Sequence, residues 1–178
     1  MKYILFSLML FISVAAGAQI QSVTLKASGL TCSMCSRAIY KALTKIDAVS
    51  EVKADIETSS YDIHFKPGAA VVLDDLKNAV KDAGFSVAAM DVKALFNNTA
   101  VQNDAHITLN NTLFHFISVA PKTLNGEVVL HLLDKDYLPE KERRKYAAQT
   151  KQACYETGTM QSAANTPERV YHVTLQQS

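Results

Sequence analysis

Beyond an apolar opening run, Ile4 to Ala16, the chain turns to alternation. Val23, Leu25 and Ala27 alternate with polar residues and predict a half-buried strand, which Gly29 breaks. Ala38, Ile39, Ala42, Leu43 and Ile46 fall at helical spacing and predict a helix beginning at Cys35. Val52, Ala54 and Ile56 predict a second strand; Tyr61, Ile63 and Phe65 predict a third, ended by Pro67-Gly68. Leu73, Leu76, Val80 and Ala83 give a second amphipathic helix closed by Gly84. Phe85 to Lys93 is apolar enough for a fourth strand. The order βαββαβ over residues 19–93 is the ferredoxin-like split βαβ arrangement, with both helices on one sheet face.

A second unit is expected beyond it. Asn97-Asn98-Thr99 reads as a loop, so residues 94–104 are expected to link the first domain to a domain over 105–178. Ala105, Ile107 and Leu109 alternate, Asn110-Asn111 signals a turn, and Thr112, Phe114 and Phe116 alternate again. A two-residue turn sets Ile107 against Phe114 and Ala105 against Phe116 on one side, and His106 against His115 on the other. Leu124-Asn125-Gly126 reads as another turn and Glu127 to Leu133 as a buried strand. Pro139 suits the first turn of a charged helix whose inner face is Tyr146, Thr150 and Ala153, with Cys154 at its end. Gly158 to Pro167 reads as loop and Val170 to Leu175 as a last strand. The fold class is thus α+β: a ferredoxin-like domain followed by a small β-rich domain with one helix, a partial barrel. That second domain is expected to recognise a partner or to extend the first sheet.

Composition narrows the function classes. At 178 residues, 48% hydrophobic and 20% charged, the chain is neither a disordered tail, a collagen-like repeat nor a coiled coil. A formal charge of +1 argues against nucleic acid held by phosphate contacts. Met1-Lys2, the apolar run and Ala16-Gly17-Ala18 before Gln19 read as a signal peptide cut after Ala18. The run falls short of the ~20 residues that span a bilayer. The expectation is a periplasmic or secreted protein with no membrane span after cleavage.

Three cysteines, Cys32, Cys35 and Cys154, are too few for a disulfide framework. Cys32 and Cys35 sit between the first strand and the first helix. The unpaired N–H groups and partial positive charge of a first helical turn favour a thiolate there. Two readings follow: a soft ion held by two sulfurs, or a pair cycling between thiol and disulfide. Thiolates suit Cu(I), and two of them do not make a closed zinc site, which takes four ligands. A thioredoxin-type site usually shows Trp-Cys-Gly-Pro-Cys, whereas this chain has no Trp and no Pro between the cysteines.

Gly29-Leu30-Thr31-Cys32-Ser33-Met34-Cys35 resembles the G-M-T-C-x-x-C signature of heavy-metal-associated domains. These are the modules of copper chaperones, of copper-transporting ATPase N-termini and of the periplasmic mercury-binding protein. Leu30 stands where the signature has Met. The resemblance runs to about residue 92, where Ala83-Gly84-Phe85 is similar to the stretch before the family's last strand. It implies a metallochaperone-like binder with Cys32 and Cys35 as ligands. The expected ion is Cu(I), with Hg(II), Zn(II) and Cd(II) as other thiolate-binding candidates, and the expected partner is a metal-transporting protein or an acidic partner domain.

Met34 reads as a loop side chain, Phe85 as packing and His64 as a surface histidine. Arg37, Lys41 and Lys45 line one exposed helix face, either a solvated face or a surface that steers an acidic partner domain. His106 and His115 have the spacing to take Zn(II) or Cu(II), but no third ligand is apparent, so two surface histidines are expected. His131 and His172 lie on other candidate strands. Cys154 reads as a buried free thiol. No Ser/His/Asp constellation, phosphate loop or paired carboxylate marks a catalytic centre, and a non-enzyme is expected. Three functions stay open: an exported carrier or store of a soft ion, a thiol–disulfide exchanger in which Cys32 attacks and Cys35 resolves, and a non-enzymatic partner-binding module.

Overall fold

The first half takes the predicted order: β1 (Gln19–Ser28), α1 (Ser33–Leu43), β2 (Val49–Asp55), β3 (Ser60–Phe65), α2 (Leu73–Asp82) and β4 (Ser86–Val101). The computed structural model describes residues 19–30, 33–163 and 165–176. The signal peptide with its cut after Ala18, and Thr31 and Cys32, lie outside the described residues. The strands pair antiparallel in the order β2-β3-β1-β4. Ile39 and Leu43 of α1 and Leu73, Leu76 and Val80 of α2 are buried in one cluster with Val23, Leu25, Ile63 and Val92 of the sheet. Burying each such side chain stabilises the fold by about 1.5–3 kcal/mol. Helix α2 ends in a Schellman turn: Gly84 adopts φ +89, its N–H donates to the Lys81 carbonyl, and that of Phe85 donates to the Val80 carbonyl.

Two local expectations are corrected. Helix α1 begins at Ser33 rather than Cys35, so Met34 belongs to the helix, where it is 72% exposed. Ile56 lies beyond β2 and is exposed; a bulge between Val49 and Glu51 resets the alternation, leaving Val49 and Val52 as the inward residues.

The second half consists of β5 (His106–Leu109), β6 (Thr112–Phe116), β7 (Lys122–Leu132), α3 (Glu140–Ala147), α4 (Cys154–Thr157), β8 (Thr159–Gln161) and β9 (Pro167–Leu175). Its strands extend the first sheet, which continues β4-β7-β9-β6-β5 with β8 paired to β9. The β6–β9 pair is parallel. Residues 94–101, expected as part of a linker, are the second half of β4. Phe96 there pairs with Gly126, Thr99 pairs with Leu124, and the Asn97-Asn98 loop signal is a β-bulge facing Asn125 alone. Leu124-Asn125-Gly126 is likewise not a turn but part of β7. The single expected helix is two, because the chain leaves α3 after Ala147 and restarts at Cys154. The expected loop Gly158 to Pro167 contains β8.

One apolar cluster joins the halves: Met90, Val92 and Phe96 of β4 belong with Phe114, Phe116, Leu130, Leu132 and Val173. The sheet curls enough for Phe96 to meet Phe116 edge-on at 6.5 Å and for the Ile20 N–H to donate to Asn110 Oδ1 at 3.0 Å.

Candidate metal centre

Strand β1 delivers the chain through Gly29, at φ +81, towards the start of α1. Cys35 is the third residue of that helix and is half-buried. No acidic residue occupies the helix's first turn among the described residues, so its partial positive charge is unopposed from within. The turn is supported from below. Ser36 is buried, and the Tyr61 hydroxyl donates to its Oγ at 2.9 Å and also approaches its carbonyl oxygen at 3.2 Å. Burial pushes the Tyr61 phenol above its usual value, the hydrogen bond with Ser36 opposes this, and the charge at Cys35 adds to the rise. Tyr61 is therefore a protonated donor at neutral pH.

The neighbours have separate tasks. Leu30 and Phe85 pack partly buried against the core, in keeping with a packing role for Phe85. Arg37, Lys41 and Lys45 are all exposed, and so is Met34. His64 is half-buried on β3, across from Ser22 and Glu51.

The other histidine expectation splits. His106 and His115 face one another as the turn register predicts. They are not a surface pair: His115 is fully buried, and Cys154 Sγ lies 3.5 Å from its Nδ1 and 3.7 Å from His106 Nε2. Cys154 is buried and unbridged, as expected, and its sulfur is the third metal-ligating type of group beside the two histidines, which the sequence did not reveal. His172 joins the row through β9, whereas His131 is engaged elsewhere, its Nδ1 2.6 Å from Asp91 Oδ1. The β6–β9 pairing has no local signature in the chain, and only the polarity of His172 inside an apolar strand hinted at it.

The family model "Heavy-metal-associated domain" matches residues 24–86. The mercuric transport protein periplasmic component of Pseudomonas fluorescens is 38% identical over 86 residues, covering 48% of this chain and 93% of that protein. The copper chaperone CopZ of Staphylococcus saprophyticus is 30% identical over 64 residues, covering 36% of this chain and 93% of that protein. A solved structure, oxidized MerP from Ralstonia metallidurans, is 34% identical with a TM-score of 0.34, over 40% of this chain and 97% of that one. On the family match and the 38% identity across 93% of the Pseudomonas fluorescens protein, the chain belongs to the heavy-metal-associated domain family.

Proposed function

We propose that this protein is an exported carrier or store of a soft metal ion, Cu(I) foremost and Hg(II) as the main competitor, held by Cys32 and Cys35. The observation that carries the reading is the place of Cys35, in the first turn of α1 inside the segment the family model matches. A helix start stabilises thiolates, and thiolates prefer soft ions. The named relatives, a mercuric transport protein and a copper chaperone, support both ions. Zn(II) and Cd(II) fit less well, because a closed zinc site takes four ligands and this loop offers two sulfurs.

Two ligands leave the ion open to exchange. A partner thiolate adds first, a bound sulfur then leaves, and no electron is transferred. Arg37, Lys41 and Lys45, exposed along and just past α1, suit an acidic domain of a metal-transporting partner. Cleavage after Ala18 places the mature chain outside the cytoplasm. The intact mass of protein recovered from the cell envelope checks that cut.

The function is tested with anaerobically reduced Cys154→Ser protein, titrated with Cu(I) against a competing chelator. One submicromolar site is expected, lost in both Cys32→Ser and Cys35→Ser. Failure to compete with the chelator, or binding that survives both substitutions, overturns the reading. Rapid disulfide exchange with a peptide in place of metal binding assigns the cysteine pair to redox chemistry.

A further inference from the structure

Three histidines form a row across the far part of the sheet. Antiparallel β5–β6 pairing sets His106 opposite His115, and parallel β6–β9 pairing sets His115 opposite His172. Directly paired residues share a sheet face, and these rings touch. His106 and His115 stack with centroids 4.3 Å apart; His115 and His172 meet edge-on at 5.2 Å. Cys154, the first residue of α4, closes over the row. Its sulfur and one ring nitrogen each from His106 and His115 all lie within 4.8 Å of one another.

The rings are oriented from behind. His115 Nε2 lies 3.0 Å from Asp104 Oδ1, which also accepts the Thr150 hydroxyl at 2.6 Å. His172 Nδ1 lies 3.0 Å from Asp134 Oδ1, and Asp134 Oδ2 accepts the His172 backbone N–H at 2.7 Å. Arg169 Nη1 donates to the same Asp134 at 3.0 Å. A carboxylate holding one imidazole nitrogen as N–H leaves the other with a lone pair, the arrangement found behind histidine metal ligands. That lone pair is Nδ1 of His115, facing Cys154, and Nε2 of His172. The His172 ring is fully buried, and its Nε2 has no hydrogen-bond partner among the described residues. A buried polar atom left unpaired is costly, and an ion satisfies it.

We infer that His106 Nε2, His115 Nδ1 and Cys154 Sγ bind a Zn(II)-type ion, and that His172 Nε2, which lies outside that group of three, moves in as the fourth ligand. Three imidazoles and one thiolate suit a borderline ion, and four protein ligands in a buried setting make a closed site, unlike the open Cys32–Cys35 loop. Burial lowers the His115 ring to about 4 and lowers His106 as well, so both rings are neutral at pH 7. Burial raises the Cys154 thiol, with Asp104 and Asp134 adding to the rise; binding therefore releases one proton to solvent as the thiolate forms. Cys154, His115 and Asp104 also stand in the order of a nucleophile, base and orienting acid. Cys154 is buried, with 6% of the residue exposed, so a substrate does not reach its sulfur, which favours a ligand over a nucleophile.

The ion would staple the β5–β6 hairpin, β9 and α4 to one another. This inference does not rest on the Cys32–Cys35 reading, and the test keeps them apart. Reduced, chelator-stripped Cys32→Ser/Cys35→Ser protein is titrated with Co(II), after circular dichroism shows the fold intact. One equivalent should give the visible bands of a tetrahedral site and a near-ultraviolet thiolate-to-cobalt band, both bleached by Zn(II). Adding Cys154→Ser should abolish the thiolate band, and Asp134→Asn should weaken Co(II) binding about 10–100-fold. In the unmutated chain the site should account for one equivalent of Zn(II) that Cys154→Ser removes. Absent Co(II) bands in the folded double variant, or a thiolate band that survives Cys154→Ser, overturns the inference.

Discussion

Tyr61 shows how one side chain serves two levels of structure. Its ring fills the core between sheet and helices, while its hydroxyl reaches the backbone and side chain of Ser36, next to Cys35. Tyr61→Phe keeps the ring and removes the donor, leaving Ser36 Oγ buried without it. The expected loss is about 1–2 kcal/mol of stability. It should be read as a lower urea midpoint with an unchanged m-value. An unchanged midpoint would mean that water replaces the hydroxyl. The alternation of Tyr61 with Ile63 made the ring's inward direction legible in the sequence. Its hydroxyl partner was not, because Ser36 lies 25 positions away on another element. The same limit hid the company of Cys154, whose two nearest imidazoles stand 48 and 39 positions earlier in the chain.

At the scale of elements, the asparagine pairs repay comparison. Asn110 and Asn111 both have positive φ, 47 and 63, and join β5 to β6 in the two-residue turn whose twist matches a hairpin. Asn110 also accepts the Ile20 N–H, tying the turn to β1. Asn110→Ala should therefore cost about 2–3 kcal/mol, from a left-handed alanine and a lost hydrogen bond. Asn111→Gly should stay within about 0.5 kcal/mol of the parent, since glycine accepts that conformation freely. Paired urea melts distinguish the two; equal losses would show that the side chain of Asn110 contributes nothing. Asn98 and Gly126 carry the same left-handed signal, φ 50 and 80, yet lie within strands β4 and β7. A residue that tolerates positive φ marks a turn or a bulge equally well. The hairpin was legible because both its strands are local and alternate. The bulge was not, because what makes it a bulge is the strand across from it.

At the scale of the molecule, the two halves are held by a shared strand, a shared core and polar links, several of which converge on the carboxylate of Asp74. Strand β4 runs for 16 residues, pairing β1 on one side and β7 on the other. Asp74, on α2 of the first half, accepts bonds from Tyr137, Tyr171 and Arg169 of the second at 2.7, 3.0 and 2.9 Å, and from Lys77 of its own helix at 2.8 Å. Arg169 then passes to Asp134, and Asp134 holds His172, so a continuous polar chain runs from α2 to the histidine row. Burial pushes the Asp74 carboxyl up, but the hydrogen bonds of Arg169, Lys77 and Tyr137 overcome it and hold the group well below the usual carboxylate range. A folded value below the unfolded value of roughly 3.9 means stability that is fully present above that pH and lost as pH falls through the folded value. Asp74→Asn should cost about 2–4 kcal/mol at pH 7 by leaving Arg169 and Lys77 short of their counter-charge. The gap between parent and variant should be the same at pH 5 and should narrow by pH 3, where the unfolded parent takes up the proton that the folded parent resists. Urea melts of both proteins at the three pH values measure it. A gap of constant size from pH 7 to pH 3 would show that the charge of Asp74 is not what joins the halves.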